Sequence, residues 1–378
     1  MKTKTSLALL ALALLLLVLP FGCNGGGSGG PRPLGVATTS GRRLPVIDMH
    51  LHTGEWDQIP KVAQDFLRDA LPFPIKLDPR RAVNSILSSD GIKKQLDEAG
   101  IAHGVLFAVY APHSVGVATN ELVRDRRNQN PDRFLALASI DVESWAQHSA
   151  ARLAELERAL KDYRMIGIKL AHPHMKLGLA DPAIFPIYAL AERLEAAVYA
   201  HIGNSPGPGV DNDRHNTDPL FFEEAVRRHP RCRFILGHVG YDFIGKTLGD
   251  FDTVIRLAHQ YPNVYLEASA LGSDASDPTG ANLLEVYRRF KAEGLIDRVI
   301  YGSDGPQRPG FVRDYLDKTV AAMVQNGYTD DEMAGVLAGN FERVFEPGLR
   351  RIGRFPLLSS GATSPVSSAT AAAATSNP

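Results

Sequence analysis

The chain has 378 residues, of which 44% are hydrophobic and 22% charged, with 41 basic and 42 acidic side chains. That composition supports a sizeable core. The near-zero net charge argues against nucleic acid or an anionic membrane surface as the main partner, because both need a basic excess. The two cysteines, Cys23 and Cys232, are too few for a disulfide scaffold or a thiolate metal cage. We therefore expect a small-molecule partner and a site built from nitrogen and oxygen groups, for which 12 histidines are available.

The front of the chain has the pattern of an export signal. An apolar run over residues 7–21 is shorter than the roughly 20 residues that span a bilayer, and Cys23 with a Gly/Ser-rich stretch follows it. This resembles a bacterial lipoprotein signal, so we predict a signal peptide over 1–23 with lipidation at Cys23. The protein would then be exported and held on the periplasmic or cell-surface side by that anchor alone. Cleavage by ordinary signal peptidase and an uncleaved or cytosolic chain are the alternatives.

The composition predicts three further segments. Residues 24–43 are Gly/Pro-rich and are predicted to be a flexible tether, and residues 358–378 are a Ser/Thr/Ala tail that is predicted to be disordered. The segment between them, 44–357, is predicted to be one catalytic domain.

Short apolar runs alternate with longer segments of helical spacing throughout the domain. Eight runs have the length and continuous apolar character of parallel strands covered on both faces: 45–49, 104–109, 134–138, 165–170, 197–201, 233–237, 263–267 and 298–302. Covering helices are predicted at 146–162, 185–194, 221–228 and 251–260. Eight such units predict an α/β fold, a (β/α)8 TIM-like barrel, with an open doubly wound sheet as the second choice.

Polar side chains follow several of these runs. Asp48, His50 and His52 share one face of the first strand because side chains alternate with period two. Two imidazoles about 7 Å apart along a strand can reach one metal ion, although a pair of hydrogen-bonded core histidines is the alternative. Four other strands end in Lys169, His201, His238 and Asp304. We expect all of them at the carboxyl ends of the strands, where barrel active sites are built.

At this point the chain resembles the amidohydrolase superfamily, in the amidohydrolase-related group that includes aminocarboxymuconate-semialdehyde decarboxylase-like enzymes. The motifs that carry the resemblance are Asp48-Met-His50-Leu-His52, Gly167-Ile-Lys169-Leu, Ala200-His201-Ile-Gly, Leu236-Gly-His238-Val-Gly, Tyr301-Gly-Ser-Asp304 and Gly339-Asn340-Phe-Glu-Arg343-Val-Phe. The resemblance implies a barrel of the metal-dependent hydrolase type. It also implies that His50, His52 and His201 bind a divalent metal with Asp304, and that His238 faces the substrate or a second metal.

Imidazole and carboxylate ligands suit zinc, which is our default, and equally Mn, Fe, Ni or Co, as one or two ions. Asp304 is assigned the general base and acid role beside ligation, against a turn aspartate. His238 would orient or protonate substrate, against a structural histidine at a glycine turn. Asp48 is a candidate to set the tautomer of a histidine ligand, with a purely structural role as the alternative.

Lys169 leaves three interpretations open. The resemblance to binuclear members suggests a carbamate that bridges two metals; otherwise Lys169 stays unmodified and binds substrate or orients the pocket, or it forms a structural salt bridge. His172, His174 and Arg308 lie in loops after the strands and are candidate substrate-binding residues, with a surface role as the alternative.

Three functions follow from these residues. The first is a metal-dependent hydrolase that cleaves an amide, lactone or other ester bond with activated water. The second is a metal-dependent non-oxidative decarboxylase, and the third is a catalytically silent binding lipoprotein. The fold alone does not name the substrate.

Overall fold

The computed structural model describes residues 30–70 and 75–358. The predicted signal peptide with Cys23 and all but the first residue of the predicted tail lie outside the described residues. Over the described ranges, no helix is both long and apolar enough to cross a membrane.

A seven-stranded parallel sheet forms the centre of the molecule, and each strand pairs with the next one along the chain. In chain order, the first to seventh barrel strands are Ile47–His52, His103–Phe107, Phe134–Ala138, Gly167–Leu170, Ala197–His201, Phe234–Gly237 and Val264–Glu267. The first seven predicted runs each overlap one of these strands. Their burial on both faces explains the near-continuous apolar sequence.

An eighth segment, 299–305, closes the sheet without forming a regular strand. Ile300 N donates to Leu266 O at 2.9 Å on one side, and Met49 N donates to Tyr301 O at 3.1 Å on the other. Single bridges pair this segment with the seventh and first barrel strands. The sheet therefore curls into the predicted barrel, and the open doubly wound sheet is excluded.

Helices cover the outside of the barrel. The longer ones are Lys61–Ala70, Pro79–Ile86, Ser89–Ala99, Asn120–Gln129, Trp145–Lys161, Phe185–Arg193, Pro219–Arg228, Phe251–Gln260, Ala281–Ala292, Phe311–Gln325 and Asn340–Arg351. Short helices span His172–Met175, Arg214–Thr217 and Asp330–Ala334, and a π-helical turn spans Gly335–Gly339. Local sequence fixes several starts: the Thr119 and Asp218 side chains accept hydrogen bonds from Leu122 N and Leu220 N.

The amino-terminal end of the barrel is sealed by apolar packing. Phe341 and Phe345 of the last long helix pack against inward-facing side chains such as Met49, Val105 and Ile235. Because this end is filled, polar side chains from the strands can form a site only at the opposite, carboxyl-terminal end.

Two short hairpins decorate the barrel. Strands Val36–Ala37 and Arg43–Leu44 pair within the segment 30–43 that we predicted as tether, and Arg32 forms an ion pair with Asp317 at 2.8 Å. The described part of the predicted tether, residues 30–43, is folded against the barrel. The other hairpin, Val109–Ala111 with Gly116–Ala118, follows the second barrel strand on the side of the site.

Candidate active site

The three side chains His50, His52 and Asp304 converge at the carboxyl-terminal end of the barrel. His52 Nε2 lies 2.8 Å from Asp304 Oδ1, His50 Nε2 lies 3.1 Å from the same oxygen, and the two nitrogens are 3.2 Å apart. Period-two alternation on the first strand brings the histidines to one face. The Asp304 N–H donates to His50 O at 3.0 Å, so the end of the eighth segment is held beside them.

This triangle of atoms fits one metal ion. Tetrahedral ligands about 2.0–2.1 Å from zinc are about 3.3 Å from one another, close to the three separations here. Burial lowers the pKa of His50 well below its ordinary value and so favours the neutral, ligating imidazole. Burial opposes ionisation of Asp304, but His50 and His52 outweigh it and hold the pKa of that carboxyl below its usual range. Within the described residues this is the group of His, Cys, Asp and Glu side chains compact enough to hold an ion.

Nδ1 of His50, the ring nitrogen that faces away from Asp304, contacts two hydroxyl groups. His50 Nδ1 lies 3.1 Å from both Ser269 Oγ and Tyr199 OH, and 3.5 Å from Glu267 Oε1. The ring also stacks on Phe107, with centroids 4.5 Å apart. These contacts fix the orientation of the imidazole, as the partners of metal-binding histidines do.

Glu267 is a site residue that the sequence analysis did not single out. It is fully buried at the end of the seventh strand, and its Oε2 accepts hydrogen bonds from Tyr199 OH at 3.0 Å and Ser269 Oγ at 2.9 Å. Burial raises the pKa of its carboxyl, while the charge of His238 opposes the shift. The signal was available, because Glu267 ends a predicted strand as Lys169 and His201 do.

Asp48 contacts the backbone of the site and the Ser303 hydroxyl, as expected for the structural one of its two predicted roles. Its Oδ1 accepts from His50 N at 3.1 Å and from Ser303 N at 2.9 Å, and its Oδ2 accepts from Ser303 Oγ at 2.6 Å. Burial raises the pKa of Asp48 to about 7, although these hydrogen bonds oppose the shift. Asp48 therefore ties the first strand to the closing segment.

His201 and His238 lie side by side near the triangle. Their ring centroids are 4.3 Å apart, and both line the same cavity as His52 and Asp304. His201 Nε2 is buried and has no hydrogen-bond partner in the described part of the chain. His201 lies outside the compact group of three. His238 Nδ1 contacts Ser269, at 3.1 Å from Oγ and 3.2 Å from the carbonyl oxygen.

Lys169 is buried in the same cavity. Its Nζ lies 4.0 Å from the centroid of the Tyr199 ring and 5.2 Å from that of Phe107. Burial lowers the pKa of Lys169 to about 7, opposed by the charges of Asp304 and Glu267. Among the described residues no carboxylate oxygen lies within 4.0 Å of this ammonium, so a salt-bridged lysine is not what the structure holds.

The three predicted substrate-binding residues fall in different places. His174 lines the cavity, with Nε2 hydrogen-bonded to Ser205 Oγ at 2.8 Å. His172 packs edge-on against Phe222 in the core, and its Nδ1 bonds to Leu177 O at 2.9 Å. Arg308 forms an ion pair with Asp314 at 2.9 Å in a neighbouring surface cavity. The structure therefore brings only His174 beside the metal-binding group.

Two adjoining cavities meet at the triangle. The first, which we call the Lys169 cavity, measures about 430 Å³. Its wall is formed by His52, Val109, Val115, Lys169, Ala171, His174, His201, Ser205, Pro206, His238, Phe243 and Asp304. The second, the apolar cavity, measures about 620 Å³. It shares His52, Val109, Val115 and Asp304 with the first and adds mainly Ile59, Leu87, Val117, Glu55, Gln58 and Gln307. Both cavities open to solvent, and they meet at His52 and Asp304.

A closed parallel barrel with a His/His/Asp group at the carboxyl ends of its strands is typical of metal-dependent barrel enzymes. The chain belongs to the amidohydrolase family, whose sequence profile matches residues 47–346. A stretch of 95 residues, 25% of this chain, is 30% identical to 2-amino-3-carboxymuconate-6-semialdehyde decarboxylase of Dictyostelium discoideum. The chain matches 24% of the length of that relative.

Several solved structures share the fold. An uncharacterised TIM-barrel protein of Bordetella bronchiseptica aligns with a TM-score of 0.60 at 19% identity, over 81% of this chain and 99% of its own. A probable 2-pyrone-4,6-dicarboxylic acid hydrolase of Acinetobacter baumannii aligns at 0.55 and 19% identity, over 80% and 100%. The 5-carboxyvanillate decarboxylase of Novosphingobium aromaticivorans, which holds manganese, aligns at 0.56 and 14% identity, over 83% and 99%. Hydrolases and decarboxylases are both represented, so membership alone leaves the reaction open.

Proposed function

We propose that this protein is a metal-dependent hydrolase that cleaves an ester, lactone or amide bond of a small molecule. The observation that carries the proposal is the convergence of His50 Nε2, His52 Nε2 and Asp304 Oδ1 within 3.2 Å of one another at the junction of two cavities. His201, with its unpartnered Nε2 in the same cavity, is the proposed fourth ligand. A divalent ion bound there would acidify a water molecule to a pKa of about 7 and polarise the carbonyl to be attacked.

The chain's own residues would then move the protons. The Oδ1 of Asp304 faces both histidines, and its Oδ2 has no hydrogen bond within the described residues, so Oδ2 is free to accept the proton of the attacking water. The same proton passes to the leaving oxygen or nitrogen as the C–O or C–N bond breaks, which yields an acid and an alcohol or amine. His238, on the same cavity wall, orients the carbonyl group.

Non-oxidative decarboxylation is the second candidate. It is favoured by the stretch that is 30% identical to a decarboxylase and by the decarboxylases among the structural neighbours. In that reaction the bond to the carboxyl carbon breaks, carbon dioxide leaves, and a proton from Asp304 or His238 takes its place.

A substrate panel separates the two reactions. Purified protein loaded with zinc or manganese is offered lactones, esters and amides of small acids, and in parallel hydroxybenzoates and enoic acids. Acid release and carbon dioxide release are both measured. We expect acid release, its loss when a chelator removes the metal, and recovery on re-addition. Carbon dioxide release alone would establish the second candidate.

Two substitutions test the assigned roles. Asp304→Asn removes the proton acceptor and should lower kcat about 10²–10⁴-fold. His50→Ala should remove metal and activity together, which metal analysis would show. His148→Ala is the matched control. It removes an exposed imidazole on the helix Trp145–Lys161, which is no part of the metal-binding group. Full activity of His50→Ala without bound metal would refute the proposal.

A further inference from the structure

We propose that Lys169 and Ser205 bind a carboxylate group of the substrate in the Lys169 cavity, while an apolar part of the same molecule occupies the apolar cavity. This inference rests on the proposed function, because it names the substrate class of that same site. It assigns His174 and Ser114 as positioning residues for Ser205.

Lys169 brings a positive charge into the Lys169 cavity. The residue is 2% exposed, and its ammonium has aromatic faces but no carboxylate within 4.0 Å in the described ranges. A buried charge without a counter-ion is costly. Asp304 is engaged by His50 and His52, and Glu267 Oε2 accepts hydrogen bonds from Tyr199 and Ser269. Glu267 Oε1 has no hydrogen-bond partner among the described residues, but it forms no ion pair with Lys169 within 4.0 Å. The missing negative charge is therefore best supplied by a ligand that enters the cavity.

Ser205 holds a hydroxyl in a fixed position in the same cavity. The residue is 2% exposed and lines the cavity wall. Asn212 clamps its backbone: Ser205 N donates to Asn212 Oδ1 at 2.8 Å, and Asn212 Nδ2 donates to Ser205 O at 2.9 Å. His174 Nε2 bonds to Ser205 Oγ at 2.8 Å, and His174 Nδ1 bonds to Ser114 Oγ at 3.1 Å. When His174 carries its ring proton on Nε2, it donates to Ser205 Oγ while its Nδ1 accepts from Ser114 Oγ, so the Ser205 O–H can donate to a ligand.

The wall of the Lys169 cavity is chemically suited to a carboxylate. Away from the metal-binding group and its histidines, Lys169 and Ser205 share the Lys169 cavity with apolar side chains such as Val115, Pro206 and Phe243. One ammonium and one hydroxyl match the two oxygens of a carboxylate. A carboxylate carries the single negative charge that one ammonium neutralises, whereas a phosphate dianion carries more negative charge than Lys169 alone balances.

The Lys169 cavity and the apolar cavity are connected at the metal-binding group. His52 and Asp304 line both of them, so a group that reacts at Asp304 lies between the two ends of the ligand. The far end meets Ile59, Leu87 and Val117, and none of the described lysines or arginines lines the apolar cavity. The substrate class is thus a small monocarboxylate whose reacting bond separates the acid from an apolar body.

The test uses benzoate as a probe, with benzamide as its neutral counterpart and inorganic phosphate as a second anion. Binding to the zinc-loaded protein is measured by calorimetry, which needs no turnover. We expect benzoate to bind more tightly than either comparison probe. Lys169→Met should weaken benzoate binding at least about tenfold, and Ser205→Ala about threefold to tenfold, with benzamide unaffected. Lys169→Gln, which keeps a donor without the charge, should fall between wild type and Lys169→Met.

Lys318→Met is the matched control, because Lys318 lines the neighbouring Arg308 cavity and pairs with Asp274 at 2.8 Å. Benzoate binding that depends on Lys318 and not on Lys169 would overturn the inference. So would a second bound metal ion that requires bicarbonate and Lys169, since the lysine would then be a metal ligand. Normal benzoate binding without any hydrolysis would overturn the proposed reaction alone, and hydrolysis confined to neutral substrates would overturn the carboxylate subsite alone.

Discussion

The hydroxyl of Tyr199 lies among three groups of the site. It is 3.1 Å from His50 Nδ1 and 3.4 Å from His238 Nε2, and it donates to Glu267 Oε2 at 3.0 Å. Tyr199→Phe removes this hydroxyl and keeps the ring beneath Lys169. Groups that contact the second ring nitrogen of a metal-binding histidine orient its ring. We therefore expect the metal affinity of Tyr199→Phe to fall about 10–100-fold. Competition with a chromophoric chelator measures the change.

Tyr188→Phe is the matched control for that substitution. Tyr188 is also fully buried, but its hydroxyl has no hydrogen-bond partner within the described residues and its ring packs among Phe185, Phe222 and Phe234. We expect unchanged metal affinity and equal or slightly higher stability, since an unsatisfied buried hydroxyl is costly. Equal losses of affinity in both variants would show that the Tyr199 hydroxyl does not support His50.

Single residues show what sequence could predict at this scale. His50 and His52 were predictable because two positions along a strand bring side chains to one face. The partners of His50 were not, because Tyr199, Ser269 and Glu267 come from other strands and reach it only when the barrel closes. Spacing likewise could not show that Arg308 pairs with Asp314 instead of facing the metal-binding group.

At the scale of elements, the closing segment depends on a glycine. A Cβ at Gly302 would lie 2.3 Å from Glu267 Oε1 and 2.9 Å from His50 Cβ, so a side chain there would push both site residues away. We expect Gly302→Ala to cost about 1–3 kcal/mol of unfolding free energy, as overpacking does, and to weaken metal binding as well. Urea unfolding and metal titration measure the two effects.

Gly178→Ala is the control for this close approach. A Cβ at Gly178 would meet Asp181 Cβ at 3.6 Å, an ordinary van der Waals contact. We expect little change in stability and none in metal binding. If Gly302→Ala behaved like this control, the seventh strand and the closing segment would not be packed as closely as described.

The regular elements were predictable where the apolar pattern is continuous. The runs 134–138 and 197–201 coincide with strands Phe134–Ala138 and Ala197–His201, and the predicted helix 251–260 coincides with Phe251–Gln260. The run 298–302 did not become a regular strand. Its contacts with the neighbouring strands are single bridges, and the left-handed backbone of Asp304, with φ of 64°, ends the extended geometry. The left-handed conformation ends the segment where Asp304 meets His52, and an apolar sequence pattern cannot predict it.

For the whole molecule, the alternation of apolar runs and helical segments predicted one barrel, and the described residues form a barrel whose amino-terminal end is sealed. Sequence could not reveal how deeply the histidines are buried, because burial depends on the closure of the barrel. His172 was expected in a solvated loop or against substrate, but the short helix His172–Met175 carries it into the core.

This burial makes the stability of the whole molecule depend on pH. Burial lowers the pKa of His172 to about 4, and likewise that of His103 to about 4 and of His174 to about 3. In the unfolded chain a histidine titrates near 6.5. Below that pH the unfolded chain binds protons that the folded chain does not bind. The stability that neutral, buried histidines contribute is therefore fully present above about pH 6.5 and is lost as the pH falls towards 4.

For His172 the loss amounts to about 3 kcal/mol between pH 6.5 and about pH 4, or about 1.4 kcal/mol per pH unit. His172→Gln keeps a donor for Leu177 O but cannot be protonated, so it should flatten the dependence of unfolding free energy on pH by that share. Urea unfolding of the chelator-treated protein between about pH 7.5 and about pH 4.5 measures the slope. The matched control is His148→Gln, which makes the same replacement at an exposed histidine. Because the comparison uses slopes, a constant loss of stability in His172→Gln does not affect it, whereas an unaltered slope would show that His172 is protonated in the folded protein.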